Sequence, residues 1–351
     1  MSDGWQVAIA GILAFTVVIA LVPLCRRFAL ARGICDTPEP GKVHRSPTPY
    51  LGGVSIAVAA VLCALLVPGW ESEAEDAVLI LGAAVMVSLA GLFDDVRGMG
   101  PLPRLGVEVV AALLAVAAGA RVQLFGEALD IIVSVVALVI LTNSFNLLDN
   151  MDSAAGAIAA TIATALAVTA LLEGQMLVGG VAVVVASASL GFLVYNWHPA
   201  SIFMGDTGSL FLGFLLAVIA LKLRTGVGHF PSAVAAVLLV APAVLDTALV
   251  VISRVRAKRP IYVGGTDHSS HRLMLLGLGP RLVLAVLVLA TAFSASIGVA
   301  VSQGVMHPIL AAVVVFVPGL LGLVALLRVG RYSPQGGRAQ LLRESHGHRS
   351  S

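Results

Sequence analysis

Eleven stretches of this 351-residue chain are apolar for long enough to form a helix on the scale of a lipid bilayer, and they leave room for little else. They cover residues 5–25, 51–69, 77–93, 105–120, 131–147, 154–172, 175–195, 208–223, 230–252, 282–301 and 308–327. A hydrocarbon core about 30 Å thick takes about 20 apolar residues to cross, and inside it only a helix satisfies its own backbone N–H and C=O groups. The stretches at 105–120 and 208–223 are the short ones. Charged residues make up 11% of the chain, against about 25% in a soluble domain. The sequence therefore predicts an all-α polytopic membrane protein of about eleven transmembrane helices. Residues 1–331 form one transmembrane domain, and the polar, Gly/Ser-rich segment 332–351 reads as a disordered tail.

Positive charge sets the orientation, because short cytoplasmic loops carry the excess of Lys and Arg. The loops after odd-numbered stretches, with the tail, hold 18 of the 21 Lys and Arg residues. The other side holds Arg121, Lys222 and Arg224, together with the acidic segment Glu71–Asp76, read here as an outside loop. The N-terminus is thus expected outside and the C-terminus in the cytoplasm. With charge distributed by topology, the net +2 forms no nucleic-acid patch. Cys25, Cys35 and Cys63 are odd in number and lie in or near apolar stretches, so no disulfide framework is implied. The first stretch lacks a basic leader and reads as an uncleaved helix.

The cytoplasmic loops carry the unusual chemistry. In the first, four prolines between Asp36 and Gly52 dictate an extended path, and Lys42, His44 and Arg45 are suited to an anionic headgroup. Gly52 and Gly53 would allow close helix approach. In the second, Asp94 and Asp95 end an apolar run. Adjacent carboxylates stay ionised only when a cation or hydrogen-bond donors compensate, and a helix C-terminus disfavours them further. Magnesium, which takes one or two carboxylates plus water and phosphate oxygens, suits such a pair.

In the third loop Asn143, Asn146, Asp149 and Asp152 recur every third residue, so neighbours share a side while the set fans round a helix end. The fourth runs from Tyr195 to Ser209 and brings Gly205, Asp206, Thr207 and Gly208 to a helix N-terminus, a natural place for an anion or metal–phosphate group. In the fifth, His268, His271 and Arg272 could bind a pyrophosphate or sugar through charge-assisted hydrogen bonds. The histidine pair lacks the HExxH pattern or cysteines of a zinc site. Asp246, inside the preceding stretch, needs a partner, and Arg254 and Arg256 are the candidates nearest in sequence.

Five segments, KVHRSPTPYLGG, GLFDDVRG, NSFNLLDNMDSAAG, YNWHPASIFMGDTGS and DHSSHRL, resemble, in order, those of the polyprenyl-phosphate N-acetylhexosamine-1-phosphate transferases. The resemblance covers most of residues 36–280. It implies a fold of ten or eleven helices with a cytoplasmic active site in the plasma membrane. It also implies transfer of a sugar-1-phosphate, most simply N-acetylglucosamine-1-phosphate, from a UDP-N-acetylhexosamine to undecaprenyl or decaprenyl phosphate. Such a reaction releases UMP, starts a cell-envelope polysaccharide and requires Mg2+, with Mn2+ as a possible substitute. A homodimer is a further implication.

By position, Asp94 and Asp95 match the family's paired aspartates near the lipid phosphate, and Asp206 its magnesium ligand, with Asp95 as a possible second. Asn196, Phe203 and Asp152 match residues that hold the uridine, Asn146 and Asp149 lie beside them, and His268, His271 and Arg272 match a loop facing the sugar diphosphate. Two departures stand out. Asn150 and Ser153 replace the glycines of a repeated Asp-Gly, and Ser270 replaces a histidine. The phospho-N-acetylmuramoyl-pentapeptide transferases are the nearest rival, and the His-Arg-Leu ending of the last motif favours the N-acetylhexosamine branch. A transporter would place its ionisable residues near mid-membrane, whereas these carboxylates gather at helix ends, apart from Asp246 and Glu108.

Overall fold

The computed structural model describes residues 3–36, 48–262 and 264–330. Its order is α1 (Asp3–Arg32), β1 (Cys35–Asp36), β2 (Thr48–Pro49), α2 (Gly52–Ala64), α3 (Trp70–Arg97), α4 (Pro101–Ala117), α5 (Glu127–Leu148) and α6 (Ala154–Leu172). There follow α7 (Met176–Asn196), α8 (Gly205–Lys222), α9 (His229–Arg256), α10 (Ser269–Leu275), α11 (Pro280–Ser302) and α12 (Pro308–Arg328). Each apolar stretch coincides with a helix, and the all-α polytopic membrane architecture holds.

Among the described residues nine helices are long and apolar enough to cross a membrane. The exceptions are α2, α4 and the seven-residue α10. With 13 residues, α2 is only about 20 Å long. Its apolar sequence runs on, but Pro68 and Gly69 stop the helix. The acidic segment 71–76 is not a loop; it forms the first turns of α3. The short helix α10 escaped the sequence pattern because seven residues carry too little periodicity to register.

The bundle is built round α8, every residue of which from Thr207 to Ala220 is buried. Helices α2, α3 and α5 pack against it. Close approach at its N-terminal end depends on glycine. An added Cβ at Gly53 would fall 2.2 Å from the Gly208 amide nitrogen, and one at Gly91 would fall 2.4 Å from the Asp206 carbonyl oxygen. At the far end Lys222 of α8 pairs with Glu73 at 3.2 Å and Asp76 at 3.3 Å, both on α3. The antiparallel pair α3 and α8 is therefore pinned at both ends. The two-residue antiparallel ladder between β1 and β2 pairs Cys35 with Pro49. Beyond it Phe203 donates its N–H to the Pro49 carbonyl, and Gly52 and Gly53 donate theirs to Phe203 and Met204. The first and fourth loops are thereby stitched together at one end of the bundle.

Candidate active site

That end opens into a cleft of about 940 Å³. Its chemistry begins with the N-terminus of α8, where the first turn of a helix leaves N–H groups without intrahelical partners. The helix has no capping side chain of its own. Asp95 supplies the cap from α3: its Oδ1 accepts the Asp206 N–H at 2.9 Å, and its Oδ2 accepts the Thr207 N–H at 3.0 Å and the Thr207 hydroxyl at 2.6 Å. A carboxylate at a helix N-terminus is also favoured by the helix dipole.

Asp94, one residue earlier and about 100° round the helix, faces α4. Its Oδ1 accepts the Met99 N–H, and its Oδ2 lies 3.0 Å from Arg104 Nη1. The same Nη1 lies 2.6 Å from Asp206 Oδ2. Arg104 thus joins the second and fourth acidic motifs. Asp206 Oδ1 accepts from Asn146 Nδ2 at 2.7 Å, and that amide also reaches the Ser209 hydroxyl at 3.1 Å. Behind these, Asn143 donates to the buried Glu108, whose Oε1 stands 3.7 Å from Arg104 Nε.

The third loop turns into the cleft as α5 ends. Asp149 lies beyond the last helical residue, with no hydrogen bond to its carboxyl among the described residues. Burial, then the negative charges of Asp206, Asp95 and Asp152, push its pKa up to about 8. Asp152 Oδ2 accepts His198 Nδ1–H at 2.8 Å and the Ala200 N–H at 3.0 Å. Asn196 is buried; its Oδ1 accepts the Ser153 N–H at 2.8 Å and its Nδ2 donates to the Ile202 carbonyl at 2.9 Å. Ser153 stands at φ 69°, the left-handed conformation that a glycine adopts more readily. Its hydroxyl bond to the Asn196 carbonyl, at 3.0 Å, helps to hold it there.

The fifth loop is anchored from below. Asp246 on α9 accepts from His268 Nδ1 at 3.0 Å, from the Ser269 N–H at 2.8 Å and from the Ser269 hydroxyl at 2.5 Å. The partners of Asp246 are therefore His268 and Ser269, and not Arg254 or Arg256. Arg254 lies 3.4 Å from Asp267 and donates to the Ile261 carbonyl. Ser270, the residue in place of a family histidine, donates to Asn150 Oδ1 at 2.5 Å and ties the third loop to the fifth. His271 reaches the cleft. Burial, then the neighbouring His268, push its pKa down to about 4, so its ring is neutral at physiological pH.

Of the residues singled out from sequence, Asp94, Asp95, Asp206 and His271 line the cleft, as do Asp149, Asp152, Asn196 and Phe203. Asn143, Asn146, His268 and Arg272 stand behind it. Arg272 is almost fully buried and donates to the carbonyls of Leu326 at 2.7 Å and Val329 at 2.6 Å and to the Ser253 hydroxyl at 2.7 Å, closing the end of α12. Lys42 and His44 lie outside the described residues. Arg104, beside the cleft, and His198, lining it, passed unassigned in the sequence. Arg104 was counted only as a topological charge, although Arg104 and Glu108 sit four apart in an otherwise apolar helix. His198 stood inside a recognised motif without a role.

Among the described residues no three acidic, histidine or cysteine side chains enclose a metal by themselves. The Asp149 carboxyl, unpartnered beside three others, is a group that a divalent cation would relieve. The arrangement combines carboxylates for a cation, one fixed guanidinium, a neutral histidine and an aromatic ring, and so can bind a charged diphosphate and neutralise it.

The glycosyl transferase family 4 model matches residues 77–224. A Bacillus subtilis protein described as a probable undecaprenyl-phosphate N-acetylglucosaminyl 1-phosphate transferase is 31% identical over 303 residues, 83% of this chain and 84% of its own length. A Mycobacterium tuberculosis decaprenyl-phosphate N-acetylglucosaminephosphotransferase is 27% identical, covering 93% of this chain and 90% of its own. A Staphylococcus carnosus phospho-N-acetylmuramoyl-pentapeptide-transferase is 24% identical over 62% of this chain and 77% of its own.

Proposed function

The chain belongs to glycosyl transferase family 4, and we propose that it transfers N-acetylglucosamine-1-phosphate from UDP-N-acetylglucosamine to a polyprenyl phosphate. The products are a polyprenyl-diphosphate sugar and UMP. The observation that carries this reading is the convergence of Asp94 on α3, Asp149 at the end of α5 and Asp206 on α8 on one cleft, with Arg104 between two of them. The names of the relatives agree, and the pentapeptide transferase matches over less of the chain.

In the reaction an oxygen of the lipid phosphate forms a bond to the donor phosphorus that bears the sugar, and the bond from that phosphorus to the UMP oxygen breaks. Such transfer asks mainly for positioning and charge neutralisation. A phosphate monoester has its second pKa near 6, so the nucleophile is already mostly dianionic at neutral pH. Asp94 orients the lipid phosphate and takes the proton of the monoanionic fraction. Arg104 faces the diphosphate charge. Neutral His271 donates a hydrogen bond without adding charge, and Phe203 offers its ring to the base. Asp206 would hold Mg2+, with Asp149 and Asp95 beside it; Mn2+ would substitute. When bound, the ion supplies neutralisation of the phosphate oxygens.

The topology that fits this chemistry has eleven crossings in the plasma membrane, the N-terminus outside and the cleft on the cytoplasmic, arginine-rich side. Homodimerisation has the resemblance alone behind it. The test is to incubate purified protein with Mg2+, polyprenyl phosphate and a panel of labelled UDP-sugars, following lipid-linked product and UMP. Asp94→Asn should abolish turnover while donor still binds. Near-normal turnover in that variant would remove Asp94 from the mechanism, and no product from any UDP-N-acetylhexosamine would overturn the function.

A further inference from the structure

We infer that His198 is the specificity-determining residue for the donor's base, its Nε2 accepting the N3–H of uracil so that uridine nucleotides are selected over cytidine nucleotides. This deepens the proposed function and rests on it.

Of the side chains that the resemblance assigns to uridine, Asn196 is fully engaged and Asp152 is engaged through Oδ2. Both ends of the Asn196 amide are committed to holding loops, at Ser153 and Ile202. Asp152 Oδ2 takes both His198 and the Ala200 N–H. Phe203, its ring centroid 6.4 Å from that of Tyr50, offers a stacking face, and stacking tolerates any base. His198, tied to Asp152 Oδ2, is a group able to tell one pyrimidine from another.

His198 lines the same cleft and is 36% exposed. A carboxylate only accepts, so the 2.8 Å contact with Asp152 places the proton on Nδ1. In that tautomer Nε2, on the other edge, is an acceptor. Uracil presents an N3–H donor there; cytosine presents a lone pair at N3. The ring edge that Asp152 fixes is complementary to the first and repels the second. Discrimination is strong where a site group is left unpaired by the wrong ligand.

The experiment measures calorimetric binding of UMP, N3-methyl-UMP and CMP to the full-length protein in nanodiscs, beside steady-state turnover. Wild-type protein should favour UMP over both analogues. His198→Ala should weaken UMP by about three- to tenfold, the scale of one hydrogen bond, and leave N3-methyl-UMP within about twofold by the same reasoning. The KM for the UDP-sugar should rise by the same factor while that for polyprenyl phosphate stays. His198→Gln, which carries an acceptor at the reach of Nε2, should keep the preference, whereas His198→Asn should lose it. Equal weakening of UMP and N3-methyl-UMP would reduce His198 to a prop for Asp152 and overturn the inference. So would intact turnover with unchanged discrimination in every variant. A wild-type protein that neither binds uridine nucleotides nor turns over any UDP-sugar would instead sink the underlying function.

Discussion

Asp149 offers the most quantitative test of the cleft, because the fold holds its carboxyl at a pKa of about 8 through burial and three negative neighbours. A group with that pKa is ionised in about one molecule in a hundred at pH 6, about one in eleven at pH 7 and about half at pH 8. A divalent cation that binds Asp149 must displace the proton, so binding is linked to pH with a definite sign: higher pH favours the ion. Apparent affinity should rise about tenfold from pH 6 to pH 7 and about fiftyfold from pH 6 to pH 8, then level off. The same proton has the opposite effect on the empty protein. Between about pH 4 and pH 8 the folded state retains a proton that the unfolded chain has lost, so stability falls as pH rises through that window. The assay is Mn2+ binding by electron paramagnetic resonance at pH 6, 7, 8 and 9, without nucleotide. Asp149→Asn should bind the ion more weakly at pH 8 and flatten the rise. A wild-type affinity that changes less than about threefold between pH 6 and pH 8, against the fiftyfold expected, would refute Asp149 as a proton-coupled ligand.

Two further outcomes follow from the packing round α8. Arg104→Ala leaves Asp94 and Asp206 without their shared cation, and kcat/KM should drop by about 10²-fold or more. That is less than the 10³–10⁵ of an unshared arginine finger, because two carboxylates already engage the guanidinium. Arg104→Lys keeps the charge but not the planar fork, and should recover part of the loss; wild-type kinetics in Arg104→Ala would contradict the role. Gly91→Ala would place a Cβ 2.4 Å from the Asp206 carbonyl and 2.6 Å from the Thr207 nitrogen, whereas Gly82→Ala on the same helix meets nothing within 4 Å. Overpacking costs about 1–3 kcal/mol, so the first should lower the thermal midpoint and the second should not. Because Asp95 rides on the same helix as Gly91, activity should fall in the first as well.

What the sequence made legible was periodic or compositional: the apolar stretches, the arginine-rich side, and the five loops on it. What it hid was pairing across space. Asp94 and Asp95 read as one motif, yet adjacent residues on a helix diverge by about 100°. One therefore meets Arg104 on α4, and the other caps α8. Arg272 read as a diphosphate ligand because arginine commonly is one, but burial at 2% and three bonds to the end of α12 and Ser253 give it a structural task. Asp246 was visible as an unpaired charge in an apolar helix, and charge alone suggested an arginine. Its partners proved to be a histidine and a serine 22 and 23 residues further on, brought back by a loop whose path no local pattern encodes. These cases share a cause. A helix terminus leaves backbone N–H groups that must be satisfied, and a buried carboxylate needs donors. In this cleft each need answers the other, with Asp95 serving α8 and Asp246 serving α10. An acidic residue in such a site thus has two roles open to it, holding a helix end or holding a ligand. Asp149, which has no protein donor among the described residues, is open to the second.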